Sequence, residues 1–261
     1  MQQGIPQTVA RFIAEKKEYA NKQLNLQSWP IHSVVRFAAG VVPGPPVVAT
    51  IDTAPRVAFS YGLNGDMAPA GRPGVLATPA DTTLQNPGQT KDQADVFIYG
   101  LSAMVAGGEV GFLRDLFRET DVAISTTANV TIPIGTMDMY PQPGGLFGGG
   151  NSALLEPGLS IPGGVDNGEG AQVLFATNGN PTAGSFRKLD SPLFWAGVGS
   201  GPDSNLQLIC TPRRPIIKTS SAFRGAGAGI SAFTPITAAL AYVDIKWVLH
   251  AVSVQIRGSN Q

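Results

Sequence analysis

The side chains that could do chemistry are few and far apart. There are two histidines, His32 and His250, and one cysteine, Cys210. A zinc or cupin-type metal site needs clustered ligands, which argues against either here. A thiol nucleophile needs a histidine partner. Cys210 instead closes the run Leu206-Gln-Leu208-Ile-Cys210, whose alternate positions are apolar. That pattern predicts a small hydrophobe buried on a strand. The stretch Val48-Ala-Thr-Ile51-Asp52-Thr53-Ala54 has the apolar lead-in and Asp-Thr pair of an aspartic protease. A single-chain enzyme of that kind needs a second copy, and none follows. Asp52 therefore reads as the end of a strand, in a turn before Pro55.

Leu146-Phe-Gly-Gly-Gly150 and Gly197-Val-Gly-Ser-Gly201 are glycine-rich, but neither is followed by the Lys-Ser/Thr of a phosphate loop. Their glycines are expected to serve turning loops. Asp166-Asn-Gly-Glu169 is rich in oxygen ligands and reads as a polar turn rather than a calcium loop. No Gly-x-Ser-x-Gly elbow is present. Trp29, Trp195 and Trp247 could stack on sugars or bases. Trp247 lies on an alternating apolar face and is expected in the core. Trp195, after Pro192-Leu-Phe194, is expected to be partly exposed. The sequence thus assigns no catalytic, cofactor-binding or metal-binding residue, and predicts a protein that is not an enzyme.

Composition points the same way. With 32 glycines and 21 prolines in 261 residues, the two make up about a fifth of the chain, against ~12% on average. Charged residues are 14% and hydrophobic ones 43%, so core material is plentiful and surface charge scarce. Eighteen basic and eighteen acidic residues cancel. Nucleic-acid binders carry a basic excess, and this chain has none. Zero net charge removes the self-repulsion that keeps copies apart, which suits self-association. A single cysteine rules out an internal disulfide framework. Met1-Gln-Gln-Gly-Ile-Pro6 lacks a secretory signal pattern, so synthesis in the cytoplasm is expected. Asn129-Val-Thr131 matches a glycosylation site and is read as chance on that ground. Apolar stretches such as Ile236–Val243 fall far short of a membrane span.

The elements that would carry these residues are mostly strands. Residues 7–24 predict an amphipathic helix, with Val9, Phe12, Ile13, Ala20 and Leu24 on one face. Arg11/Glu15 and Glu18/Lys22 are spaced as ion pairs, and Trp29-Pro30 ends the segment. Arg11, Lys16, Lys17 and Lys22 against Glu15 and Glu18 make this stretch +2, leaving −2 for the rest. From Ile31 on, β-branched and aromatic runs broken by Gly, Pro, Asn and Asp predict strands. They fall near 31–42, 46–51, 56–62, 95–106, 121–134, 172–177, 192–196, 205–211, 214–219 and 240–257. Val57, Phe59 and Tyr61 alternate, as do Val122, Ile124, Val130, Ile132 and Ile134, which is the antiparallel signature. In the last strand apolar parity flips at His250-Ala251, predicting a β-bulge or bend. A second helix is expected at about 108–118, from Val110, Leu113 and Phe117. Residues 63–94 and 141–170 read as long loops, ordered by neighbouring subunits or crowning an outer surface. No internal repeat is present.

This layout resembles the jelly-roll major capsid proteins of tailless icosahedral bacteriophages with an internal membrane. The likeness rests on the amphipathic segment Gln7–Leu24 before the barrel and on long Gly/Pro-rich loops of low charge. It rests also on the short helix 108–118 and the long final strand from Ala241-Tyr-Val-Asp-Ile-Lys-Trp-Val-Leu-His250 onward. Phe186-Arg-Lys-Leu-Asp-Ser-Pro-Leu-Phe194 has the polar-turn, proline, apolar form that leads into a late barrel strand. The resemblance implies an all-β fold: a single eight-stranded jelly-roll barrel or sandwich, with an arm at 1–28 and the jelly-roll domain at 29–261. It implies a self-assembling viral shell subunit in the virion, made in the host cytoplasm. Its partners would be copies of itself, as a trimeric or higher capsomer, and other capsid proteins. The N-terminal helix could touch an internal membrane; no specific nucleic acid and no cofactor are expected. A lectin-like or receptor-binding jelly-roll module is the alternative. Ten strands suit one eight-stranded roll with additions, because sixteen would leave too little chain for the loops.

Overall fold

A computed structural model describes residues 5–43, 48–88, 94–108, 112–127, 130–137, 187–195, 206–219 and 241–256. Among the described residues the fold is mostly β, with two α-helices. Helix α1 spans Gln7–Glu15 and α2 spans Leu113–Glu119. The strands are β1 (Leu24–Val42), β2 (Val48–Ile51), β3 (Arg56–Ala58), β4 (Asp66–Met67), β5 (Arg72–Leu76) and β6 (Asp95–Gly108). After α2 come β7 (Thr120–Thr127), β8 (Val130–Thr136), β9 (Arg187–Trp195), β10 (Gln207–Pro212), β11 (Ile216–Thr219) and β12 (Tyr242–Ile256). One sheet has the order β11-β2-β1-β12-β6-β9, a second β3-β10-β7-β8, and β4-β5 form a small ribbon. Each of these pairings is antiparallel.

Both large sheets contribute to one core. Phe37, Ile98, Trp247 and Leu249 come from the first; Ala58, Ile124, Leu208 and Cys210 come from the second. Phe112, Leu116 and Phe117 join them from α2 and its N-terminal edge. The helix is shorter than its apolar spacing predicts. Its first expected anchor, Val110, lies outside the described residues, and the described strand β6 runs on to Gly108.

The N-terminal segment also differs from expectation. Instead of one helix over 7–24, α1 ends at Glu15, where Lys16 turns extended (φ −80°, ψ 117°), and a single 3-10 turn follows at Lys17–Tyr19. Leu24 already belongs to β1, opposite Ile256. Strand hydrogen bonds there outweigh continuation of a helix too short to stand alone. Trp29-Pro30 does not end the segment, because both lie within β1, so residues 24–28 of the expected arm are part of the sheet. Pro30 is tolerated because β2 lies beside Ala39–Val42 only.

Other differences have local causes. The predicted strand 56–62 stops at Ala58, because Phe59 takes a left-handed φ of 63°. The alternation through Tyr61 is lost, and Ala58, Phe59 and Tyr61 are all buried. Residues 121–134 form two strands, β7 and β8, rather than one, with register shifts where the hairpin twists. The predicted strand 172–177 and the loop 141–170 lie outside the described residues.

The long loop after β3 does not depend on neighbours for its order. Met67, Ala70, Ala77 and Leu84 enter the main core, and the β4–β5 ribbon braces the segment. Backbone bonds Leu63 N–H to Leu84 O (2.9 Å) and Asn64 N–H to Ala77 O (2.9 Å) close it on itself. Four apolar anchors spread over eighteen residues were hidden among its Gly, Pro and Asp.

The bulge falls where the parity flip predicts, but in the neighbouring strand. His250 pairs with Gly100 and Ala251 with Ile98, so Tyr99 of β6 is the extra residue. Strand β12 itself pairs with β1 in unbroken register from Ile256 to Tyr242. Its apolar side changes because the covered face changes. Val243, Ile245, Trp247, Leu249 and Ala251 face the main core, whereas Val252 and Val254 face the other way, under α1.

Candidate functional site

The described residues singled out for chemistry serve the fold. Asp52 accepts the Ala54 N–H at 3.1 Å, a turn closure, and its exposed carboxylate takes a bond from Arg56 at 2.9 Å. It ends β2, as the sequence predicts. Cys210 is fully buried on β10. Burial pushes its thiol well above the ordinary range. A thiol so protonated is a poor nucleophile. Trp247 is buried as expected; Trp195 is buried too, at 1% exposure, which corrects its expected partial exposure. It pairs opposite Val96 and packs in the main core. Trp29 is half-buried against the same core. The glycine-rich stretches 146–150 and 197–201 and the acidic turn 166–169 lie outside the described residues, as does Asn129. Among the described residues no three His, Cys, Asp or Glu side chains group as metal ligands, and no helix is long and apolar enough to cross a membrane.

What the fold does bring together lies on the outer face of the six-stranded sheet. Even-numbered residues of β1 and β12 point there, opposite the main core. Arg36 of β1 donates two bonds to Asp244 of β12, Nε to Oδ1 and a terminal nitrogen to Oδ2, both 2.7 Å. The guanidinium carbon lies 3.7 Å from the Tyr242 ring centroid. The Asp244 bonds raise the Arg36 pKa above its ordinary value. Arg56 reaches across to the Arg36 carbonyl at 3.1 Å. Nearby, Arg72 meets Asp81 at 2.6 Å, and Asp81 also accepts from the Thr78 N–H and hydroxyl. Tyr61 and Thr83 tie this loop to the β1 backbone at Val34 and His32. Beneath the loop lies Lys246, its pKa lowered by burial and held up by Asp81. Backbone bonds from Val34 N–H to the Asp81 carbonyl (2.9 Å) and from Thr83 N–H to the His32 carbonyl (3.1 Å) hold this segment to β1, while the Arg72–Asp81 pair braces it internally and the Arg36–Asp244 pair ties β1 to β12.

The nearest approach to a nucleophile and base is Ser102 with His250, Oγ to Nε2 at 3.1 Å. Both are buried, and desolvation lowers the His250 pKa to about 4. An imidazole of that pKa is a weak general base at neutral pH. The sequence offered no sign of this pair, because 148 residues separate its members.

The same pair makes stability pH-dependent. An unfolded histidine titrates near 6.5, the folded one near 4, so the unfolded chain binds the extra proton between these values. Stability is therefore full above about pH 6.5 and falls by ~1.4 kcal/mol per pH unit on acidification, a total of roughly 3 kcal/mol by pH 4. His32, whose pKa burial also lowers, acts in the same direction. Urea midpoints measured from pH 7.5 to 4 should show this slope, and His250→Gln should flatten it. An equal slope in that variant would refute the assignment.

No protein-family profile, curated protein or solved structure matches this chain.

Proposed function

We propose that this chain is a non-catalytic, self-assembling shell subunit built on a single eight-stranded jelly roll. The observation that carries the reading is strand order. With β2 and β11, which extend the first sheet beyond β1, and the β4–β5 ribbon set aside, the order is β1-β12-β6-β9 in one sheet and β3-β10-β7-β8 in the other, which fits an eight-stranded roll. First and last strands, β1 and β12, lie side by side at one side of the first of these four-strand orders. Successive strands cross between sheets at nearly every connection, as in two interlocked Greek keys. Jelly rolls of this kind serve viral capsids, lectins and cupins, so the surface must choose among them.

The surface favours assembly. Val42 is 64% exposed and Ile217 58%, both in the β11-β2-β1 part of the six-stranded sheet, on a chain of zero net charge. Apolar residues bared at a sheet margin suit burial by a neighbour. The partners are copies of this chain, in trimers or larger capsomers, with other shell proteins, in a virion. A membrane beneath the shell would meet the arm through Phe12 and Arg11 of α1 and Lys17 of the turn after it, since Val9 and Ile13 are turned to the sheet.

Sedimentation and negative-stain imaging of purified protein at rising concentration in low salt test the reading. Capsomers or closed particles are expected. A strict monomer throughout would overturn it, and glycan binding by that monomer would establish the lectin alternative.

A further inference from the structure

We propose that the N-terminal arm, residues 5–19, is exchanged between copies. It covers the outer end of the six-stranded sheet in its own subunit when the chain is alone, and the same surface of a second copy in the assembly. The inference gives the proposed self-assembly a specific contact and rests on that reading for bringing two copies within reach.

The surface in question is a second apolar cluster, separate from the main core. Val9, Ile13 and Tyr19 of the arm close over Phe97, Val252 and Val254 of the sheet. The Lys16 ammonium lies 3.2 Å from the Phe194 ring centroid, and Tyr19 donates its hydroxyl to Asp95 at 2.5 Å. Without a cover, this end of the sheet would bare an apolar face to water. The cover must therefore be present, but nothing in these contacts requires it to come from the same chain.

Two features make the arm separable. First, it is held by side chains. Its backbone bonds at Ala10, Lys16, Tyr19, Ala20 and Lys22 all end on residues of the arm itself. No strand ladder is broken when it lifts. Second, a single turn decides its direction. Ala20 sits at φ −58°, ψ 131°, Asn21 at φ 60°, and the Lys22 N–H bonds to the Tyr19 carbonyl at 3.2 Å. That is a type II turn with a non-glycine residue at its left-handed position. It folds the arm back over the start of β1. Opened to an extended form, Ala20–Gln23 spans about 13 Å, a reach toward a neighbour. The closed and exchanged forms share every contact of the arm and differ at this hinge. Their balance is set by the turn and by the local concentration of copies.

Asn21 is the residue to change. Proline there fixes φ near −65° and forbids the turn, while Ala20 already has the backbone angles that suit a residue before proline. Glycine favours the turn. Asn21→Pro is expected to assemble at a concentration about tenfold lower than wild type, and Asn21→Gly at one about tenfold higher, the worth of one left-handed residue. To report exchange directly, donor dye is placed on Gln7→Cys chains and acceptor on Gln255→Cys chains, both exposed positions, the native Cys210 being buried. Mixed populations of the proline variant should show energy transfer between chains. Equal assembly thresholds for the two variants would overturn the proposal, as would assembly without transfer; the shell reading would survive either result. Failure of every variant and of wild type to assemble would remove both. Should the proline variant not fold, Asn21→Gly decides alone, and an unchanged threshold refutes exchange.

Discussion

Gly71→Ala is expected to destabilise the protein by about 4 kcal/mol, at the upper end for a single substitution. Gly71 has φ +87°, where a β-carbon costs roughly 1–2 kcal/mol. The larger part is steric. That β-carbon would stand 2.2 Å from the Arg36 carbonyl oxygen and 2.8 Å from Cδ and Nε of Arg56. The carbonyl belongs to β1, which pairs with β12 in unbroken register through Arg36 and cannot retreat without disturbing that pairing. Moving the loop instead would strain the Arg72–Asp81 pair, and moving Arg56 aside would forfeit its bond to that carbonyl. Gly74 supplies the control. Its φ is +73°, but nothing lies within 4 Å of its would-be β-carbon, so Gly74→Ala should cost only ~1 kcal/mol. Urea denaturation with unchanged m-values measures both. Equal losses at the two positions would show that the close approach to β1 is relieved cheaply.

The second large effect is at Trp247. Its side chain is fully buried in the core that both sheets share, where Cys210 of the opposite sheet also packs. Trp247→Ala removes the indole and leaves a cavity, a cost of about 3–5 kcal/mol. For a chain of this size that lowers Tm by roughly 10–15 °C. The variant should also expose Cys210 to solvent-borne thiol reagents, with labelling at least tenfold faster than in wild type. Labelling that stays slow while Tm falls would mean that the cavity collapses over the thiol, and that Trp247 is not what shields it.

Several of these features are legible in the sequence alone. Strands dominate because β-branched and aromatic residues recur between Gly, Pro, Asn and Asp, and that grammar is local. Alternation in β7 and β12 marks a sheet with distinct faces, for which antiparallel pairing is the usual solution. Burial of Cys210 and Trp247 followed from their parity alone. The place of the register shift at His250-Ala251 was legible too. Its cause was not, because parity records that the covered face changes without saying which body covers it.

The sequence by itself determined the β class, the sidedness of the strands and the amphipathic arm, since each depends on residues within a few positions of one another. Tertiary structure alone decided what meets what. Arg36 and Asp244 stand 208 residues apart and Ser102 and His250 stand 148 apart, so no spacing rule could pair them. The loop after β3 looked bare because its anchors, Met67, Ala70, Ala77 and Leu84, follow no period; they match the shape of a core built by distant strands. The arm reads as amphipathic wherever it lies, yet its apolar side settles on Phe97, Val252 and Val254 because β6 and β12 turn these residues outward together. Local periodicity fixes which side of an element is apolar, and only the assembled sheets supply the surface that side will bury.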